Sequence, residues 1–109
     1  MSKGDERWLV VPDATQVPEG GVIGTRVEGT PIAIYRVDAK YYATSDVCTH
    51  ESALLSEGWV EDGEIICPLH GARFRISDGT CIGPLGSDLR CFKVRVHKGH
   101  IEVDLNREE

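Results

Sequence analysis

The sequence predicts an all-β protein, and three features of the chain lead to this expectation. Its 109 residues include 12 glycines and 5 prolines, which divide the apolar positions into short runs. No stretch of about ten residues keeps the apolar spacing of an amphipathic helix, whereas the short runs fit strands. Two Asp-Gly pairs, Asp62-Gly63 and Asp78-Gly79, each separate two such runs, as in two-residue β-hairpins. A chain of this length forms one small domain.

Polar turns divide the N-terminal part of the chain into strands. Trp8–Val11 is an unbroken apolar run, and later runs are separated by Glu28-Gly29-Thr30 and Asp38-Ala39-Lys40. Because strands are short apolar or alternating runs that end at such turn residues, each run predicts a strand. The strands predicted here are Trp8–Val11, Val22–Val27, Ile32–Val37 and Tyr41–Ala43.

The C-terminal part of the chain predicts further strands in hairpin order. Asp62-Gly63, Asp78-Gly79 and Lys98-Gly99 provide the turns. Apolar and basic residues alternate over Phe92–Val96, which is the period of a half-buried strand. The strands predicted here are Trp59–Val60, Glu64–Ile66, Arg73–Ile76, Thr80–Ile82, Phe92–Val96 and His100–Leu105.

The segment 45–86 differs in composition from the rest of the chain. It holds three of the four cysteines, two of the four histidines and most of the irregular Gly/Pro sequence. The predicted strands before and after it form a continuous base. We therefore predict a single domain over 1–109, with a base of residues 1–44 and 87–109 and an insert of residues 45–86.

The charge balance excludes some classes of function. Twelve Lys and Arg against 18 Asp and Glu give a net charge of −6, which argues against nucleic-acid binding. No apolar run approaches the roughly 18 residues that span a bilayer. Residues 1–7 are charged and lack the apolar region of an export signal. We expect a cytoplasmic protein without a membrane partner, and in that reducing compartment clustered Cys and His more often bind metal than form a disulfide scaffold.

Two mixed Cys/His pairs form the candidate metal site. They are Cys48-Thr49-His50 and Cys67-Pro68-Leu69-His70, separated by the sixteen residues 51–66. Each pair follows a predicted strand end, so the two loops can converge. Two thiolates and two imidazoles suit a tetrahedral zinc or an iron–sulfur centre. Zinc fingers usually keep Cys with Cys and His with His, whereas one Cys and one His per loop suits a binuclear centre.

This pattern resembles the Rieske [2Fe–2S] family in the type, order and spacing of four ligands. Gly83-Pro84-Leu85-Gly86 is similar to the third, proline-containing loop that covers the cluster in that family. The resemblance implies that Cys48 and Cys67 bind the inner iron and that His50 and His70 bind the outer iron. It also implies a Rieske-type fold, in which an antiparallel β sandwich or barrel forms the base and the cluster-binding insert is smaller.

Chain length narrows the resemblance within this family. Ring-hydroxylating oxygenases add a domain with mononuclear iron, and respiratory Rieske proteins add a membrane anchor. With 109 residues, the chain is similar to the small Rieske ferredoxins of bacterial aromatic-ring dioxygenase systems. That similarity implies a monomeric one-electron carrier with one cluster, which is not itself an enzyme. Its implied partners are a flavin-containing, NAD(P)H-dependent ferredoxin reductase and a terminal oxygenase with its own Rieske centre.

Two alternatives stay open at this point. The small subunit of assimilatory nitrite reductase is a similar Rieske-like chain, and it would be recognised by co-purification with a large sirohaem subunit. A structural zinc domain is the second alternative, and it would be recognised by a colourless purified protein.

Departures from the respiratory pattern imply a low reduction potential. The respiratory subfamily joins its cluster loops by a disulfide at the positions of Ala53 and Leu69, which cannot form one. It also places serine and tyrosine hydroxyls near the cluster, at the positions of Ala72 and Phe74. Without these hydrogen bonds the reduced state is less stable, so we expect a potential near the low end of the Rieske range, about −150 mV.

Other residues near the insert yield weaker expectations. Leu69, Pro84 and Leu85 are expected to form an apolar collar at the tip, and Trp59 is either a packing residue or a partner contact. Cys81 and Cys91 lie outside the ligand spacing and are interpreted as two thiols, with Cys91 partly exposed on a polar strand face. A set of acidic residues forms either a solvated face or a surface that steers a basic partner; it contains Asp46, Glu51, Glu57, Glu61, Asp62 and Glu64.

Overall fold

A computed structural model describes residues 7–49, 52–69, 71–83 and 86–108. Within these ranges the chain forms β-strands and two short 3-10 turns without any α-helix, so the all-β prediction is confirmed. In the same part of the chain, no helix has both the length and the apolar character that crossing a membrane needs. The strands are β1 (Trp8–Val11), β2 (Val22–Val27), β3 (Thr30–Val37), β4 (Lys40–Ser45), β5 (Trp59–Glu61), β6 (Glu64–Ile66), β7 (Arg73–Arg75), β8 (Cys81–Gly83), β9 (Cys91–His97) and β10 (His100–Glu108).

The larger sheet has six antiparallel strands in the order β1-β10-β9-β4-β3-β2. Strands β2, β3 and β4 form a meander in which each strand pairs with the next along its length. Strands β4 and β9 pair at Ala43–Phe92 and Thr44–Cys91, close to the end where β4 leads into the insert. Beyond these two pairs the strands diverge, and the sheet curls into a half-barrel.

Tight turns at the hairpin ends follow from residues that tolerate a positive φ. Glu28-Gly29, Asp62-Gly63 and Lys98-Gly99 combine a first φ of 51, 50 and 51° with a glycine φ of 80, 78 and 79°. Two residues with positive φ match the twist of the flanking strands, and glycine adopts this region without strain. Asp38-Ala39 makes the same turn without glycine, and the Glu19 carboxylate accepts both of its backbone N–H groups, at 2.6 and 2.8 Å.

The smaller sheet contains four antiparallel strands in the order β5-β6-β7-β8. The Asp62-Gly63 hairpin joins β5 to β6 as predicted. The two-residue hairpin predicted at Asp78-Gly79 is wrong, because the turn there is longer. The Gly79 N–H donates to the Arg75 carbonyl at 2.7 Å, and the Arg75 N–H donates to the Thr80 carbonyl at 2.8 Å. As a result β7 ends at Arg75, and β8 begins at Cys81 rather than at Thr80.

Strand β3 separates two apolar cores. Ala33 and Tyr35 face the core that the small sheet covers, whereas Ile32 and Ile34 face the core inside the half-barrel. All four side chains are fully buried. Alternate residues of a strand point to opposite faces, so a strand buried on both faces is apolar throughout. The first core also contains Cys48 and Cys67, which places both candidate ligand loops on a packed foundation.

Candidate metal centre

The first candidate ligand loop leaves the end of β4 and returns at the 3-10 turn Leu55–Glu57. The Cys48 N–H donates to the Ala53 carbonyl at 2.9 Å, and the Leu55 N–H donates to the Asp46 carbonyl at 2.7 Å. Cys48 is 4% exposed. These backbone hydrogen bonds close the loop around a buried thiol.

Asp46 closes the base of this loop with its side chain. Its carboxylate accepts the Ser56 N–H at 2.7 Å and the Ser56 hydroxyl, also at 2.7 Å. Burial raises the pKa of Asp46, and the two hydrogen bonds from Ser56 lower it in part. Gly24 of β2 packs so closely that a Cβ there would lie 2.6 Å from the carboxylate. The prediction that Asp46 belongs to a surface acidic set is therefore wrong.

The second candidate ligand loop begins directly after β6. The Cys67 N–H donates to the Ala72 carbonyl at 2.8 Å, and Cys67 is fully buried. Gly71 has a φ of +68°, which lets the chain reverse towards β7. Gly58 packs against the end of β6, where a Cβ added to this glycine would overlap the carbonyl oxygen of Ile66. This contact fixes the backbone immediately before Cys67.

The candidate ligands His50 and His70 lie outside the described residues, as do Glu51, Pro84 and Leu85. Among the residues that are described, no group of three or more His, Cys, Asp and Glu side chains is placed to hold a metal ion. The structure therefore places two of the four predicted ligands, Cys48 and Cys67. Both are buried thiols on closed loops that share one core. Thiolates are the usual ligands of iron–sulfur clusters, so this part of the donor set fits a [2Fe–2S] centre.

The positions that lack respiratory hydroxyls are apolar and buried in the structure. Ala72 accepts the hydrogen bond from Cys67, and Phe74 follows it on β7, opposite Ile65 of β6. Both Ala72 and Phe74 are fully buried, and Ala53 is 8% exposed. These side chains offer no hydroxyl or thiol in the neighbourhood of the second ligand loop.

Thr49 forms a contact with Ser87 that the sequence did not reveal. Its hydroxyl donates to the Ser87 carbonyl at 2.6 Å and accepts the Ser87 N–H at 3.0 Å. The bond joins the first ligand loop to the segment after Gly83, 38 residues away in sequence. A threonine inside a Cys-x-His motif carries no signal for such a partner, because the partner is set by the fold.

Cys91 is buried, so the expectation that it is partly exposed is wrong. It lies on the same strand face as Lys93 and Arg95, but an added Cβ on Gly79 would lie only 2.7 Å from its sulfur. The Leu89 N–H holds this covering segment by donating to the Gly79 carbonyl at 2.8 Å. Of the three residues on this face of β9, only Cys91 is buried, whereas Lys93 and Arg95 are partly exposed. The alternation of the sequence therefore does not predict burial at the start of the strand.

The surface around the second loop is partly acidic and partly apolar. Glu57, Glu61 and Asp62 are exposed. Arg73 forms ion pairs with Glu64 at 3.1 Å and Glu61 at 3.4 Å, and these carboxylates raise the pKa of Arg73. The acidic set is thus partly neutralised within the protein. Several large apolar side chains of the two ligand loops and of β5 are 40–49% exposed: Val47, Leu54, Trp59 and Leu69.

Comparison with curated proteins gives relatives that match over nearly their whole length. The chain is 35% identical over 102 residues to the ferredoxin component of the naphthalene 1,2-dioxygenase system of Pseudomonas aeruginosa, covering 93% of this chain and 98% of that protein. It is 39% identical to the ferredoxin CarAc of Metapseudomonas resinovorans, over 88% of this chain and 92% of that protein.

Solved structures with the same fold include isolated ferredoxins and a complex. A chain from the complex of reduced oxygenase and oxidized ferredoxin in carbazole 1,9a-dioxygenase superposes with a TM-score of 0.82 at 36% identity, covering 94% of this chain and 95% of that chain. The Sphingomonas yanoikuyae B1 ferredoxin gives a TM-score of 0.83 at 27% identity, over 90% and 98% of the two chains.

The sequence model of the Rieske [2Fe-2S] domain family matches residues 7–93, which include both candidate ligand loops and most of the two sheets. The match covers far more than the motif that first suggested the resemblance. With its buried cysteine loops, its two-sheet architecture and its full-length ferredoxin relatives, this chain belongs to the Rieske [2Fe–2S] domain family.

Proposed function

We propose that this protein is the one-electron carrier of an aromatic-ring-hydroxylating dioxygenase system. It accepts an electron from a flavin-containing reductase fed by NAD(P)H and passes it to the Rieske centre of a terminal oxygenase. The observation that carries the proposal is that this chain and its ferredoxin relatives align over nearly the whole length of both proteins. These relatives favour an electron-transfer component over a catalytic subunit and over a nitrite reductase subunit.

Cys48 and Cys67 hold one iron of the cluster, and His50 and His70 hold the other. Support for the cysteines comes from their burial on two loops of one core. Support for the histidines comes from their spacing in the sequence, since they lie outside the described residues. When bound, the [2Fe–2S] cluster supplies reversible one-electron chemistry, and two imidazoles in place of two thiolates make it easier to reduce than an all-cysteine cluster.

The protein's own residues keep water away from the thiols and fix the two loops. The Cys48 and Cys67 N–H groups are each bonded to a carbonyl of their own loop, so neither loop needs water to satisfy them. Residues 45–86 act as the cluster-binding insert, and residues 1–44 and 87–109 act as its base.

A weak docking patch lies beside the loops. Val47 and Leu54 face each other across the first loop and are 42% and 40% exposed, and Leu69 of the second loop is 47% exposed. Small apolar contacts of this kind suit transient electron-transfer encounters, which bury little surface. The carrier works as a monomer in the cytoplasm, where it meets reductase and oxygenase in turn.

Metal analysis of the purified protein tests the cofactor and its ligands. We expect a red-brown protein with two irons and two acid-labile sulfides per chain, the composition of one [2Fe–2S] cluster. Cys67→Ser will lose both, whereas the matched variant Cys81→Ser, a cysteine outside the ligand spacing, will retain them. A colourless wild type with stoichiometric zinc would favour the structural zinc domain instead.

A reconstituted electron-transfer chain tests the role. With NADH, a flavin reductase and an oxygenase of a ring-hydroxylating system, reduction of the oxygenase Rieske centre will require this protein and will fail with Cys67→Ser. A protein that carries the cluster but stays oxidised beside the reductase, and that co-purifies with a sirohaem subunit, would contradict the proposal.

A further inference from the structure

One side chain joins two loops that are far apart in sequence. The Thr49 hydroxyl donates to the Ser87 carbonyl at 2.6 Å and accepts the Ser87 N–H at 3.0 Å. A hydroxyl that bonds both main-chain groups of one residue holds that residue in position and in orientation. Both Thr49 and Ser87 are exposed, so these bonds form at the protein surface and compete with water.

The residues that follow Ser87 are held by other hydrogen bonds. The Cys81 N–H donates to an Asp88 carboxylate oxygen at 2.8 Å, and the Leu89 N–H donates to the Gly79 carbonyl at 2.8 Å. These two bonds close the base of the loop between β8 and β9. Neither bond involves the first ligand loop, to which Ser87 is joined by the Thr49 hydroxyl.

The burial of Cys48 contrasts with the exposure of its neighbours in the chain. Cys48 is 4% exposed, although Val47 before it is 42% exposed and Thr49 after it is also exposed. The hydroxyl of Thr49 bonds Ser87 to this loop, directly beside the buried Cys48.

We infer that Thr49 is a positioning residue that latches residues 86–88 against the first ligand loop and so limits the access of water to the metal centre. The inference rests on the proposed function, because Thr49 stands between the proposed ligands Cys48 and His50. The hydroxyl makes no contribution as a ligand. Its part is to hold a neighbouring loop, and its loss changes exposure rather than coordination.

The test compares Thr49→Val, which removes the hydroxyl at nearly constant volume, with Thr49→Ser, which keeps it. Thr15→Val makes the same chemical change at an exposed position of the 3-10 turn Ala14–Gln16, which packs on the half-barrel core away from the ligand loops, and serves as the matched control. Hydrogen–deuterium exchange of peptides containing Ser87, iron release to a chelator and the midpoint potential are measured on the cluster-loaded proteins. Exchange at Ser87 reports the latch directly and does not depend on activity.

Loss of a net hydrogen bond of about 1 kcal/mol corresponds to roughly a fivefold change in an opening equilibrium. Thr49→Val is therefore expected to exchange the Ser87 amide and release iron about fivefold faster or more. Its midpoint potential will shift upward, because water stabilises the additional negative charge of the reduced centre. Thr49→Ser and Thr15→Val will match the wild type in all three measurements.

Two results would overturn the inference. One is a Thr49→Val protein with wild-type exchange at Ser87 and wild-type iron release. The other is a Thr49→Ser protein that behaves as Thr49→Val does, since the hydroxyl would then not be the group responsible. A wild type that holds zinc instead of iron would refute the proposed function alone, because the exchange of Ser87 would still decide whether the latch exists.

Discussion

Replacing Ser56 by alanine removes the hydroxyl that donates to the buried carboxylate of Asp46. That hydrogen bond is 2.7 Å long, and Asp46 is 3% exposed, so the substitution leaves a largely buried carboxylate with one hydrogen bond fewer. The Ser56 N–H still donates to the other carboxylate oxygen. One hydrogen bond to a charged group contributes about 1.5–3 kcal/mol, and we expect Ser56→Ala to lower the free energy of unfolding by about 2 kcal/mol.

The melting temperature translates this loss into a measurable shift. An unfolding entropy of about 2.1 cal/mol/K per residue gives roughly 0.23 kcal/mol/K for this chain, so about 2 kcal/mol lowers Tm by about 9 °C. Calorimetry and guanidinium titration at neutral pH both measure the change. The control is Ser77→Ala, the same substitution at an exposed position, which is expected to stay within about 0.5 kcal/mol of the wild type. If Ser56→Ala were as stable as this control, the hydroxyl bond of Ser56 to the Asp46 carboxylate would not be stabilising the loop.

Three further outcomes follow from buried residues of the same core. Burial raises the pKa of the Tyr35 phenol, so the protonated phenol stabilises the fold below about pH 10, and this contribution is lost at higher pH. Tyr35→Phe has no phenol to ionise. In guanidinium titrations, its free energy of unfolding will therefore fall less between about pH 9 and 11 than that of the wild type. Cys67→Ser will melt at a lower temperature, because the cluster ties two loops together, and a wild-type Tm would contradict this. Voltammetry will give a midpoint near about −150 mV, and Ala72→Ser and Phe74→Tyr will each raise it, whereas a wild-type value above zero would refute the explanation.

The strands were predictable, and the Cys/His motifs could be recognised, because both depend on residues close together in the sequence. The turn Asp62-Gly63 fixes a hairpin by its own backbone preference, and the structure has that hairpin. The similar pair Asp78-Gly79 does not form a two-residue hairpin. There the Arg75 carbonyl captures the Gly79 N–H, and Leu89 packs its own backbone against the same glycine. A dipeptide does not reveal contacts of that kind.

The surroundings of the candidate site were harder to predict for the same reason. Asp46 looked like one member of an acidic surface, and its burial depends on Ser56 ten residues later and on Gly24 of another strand. Thr49 meets Ser87 only because the two sheets bring their loops together. Ligand type and spacing can be recognised locally, whereas the side chains that hold the ligand loops are assigned by tertiary structure.

The closure of the first ligand loop also bears on the speed of electron transfer. Its backbone is bonded internally from Cys48 to Ala53, its base is fixed through Asp46 and Ser56, and its outer side is held by Thr49. A site with its groups already in place has little nuclear rearrangement to make when one charge is added or removed. Low reorganisation energy of this kind permits rapid exchange between centres of nearly equal potential, where the driving force is small. A one-electron carrier depends on such preorganisation as much as on its potential.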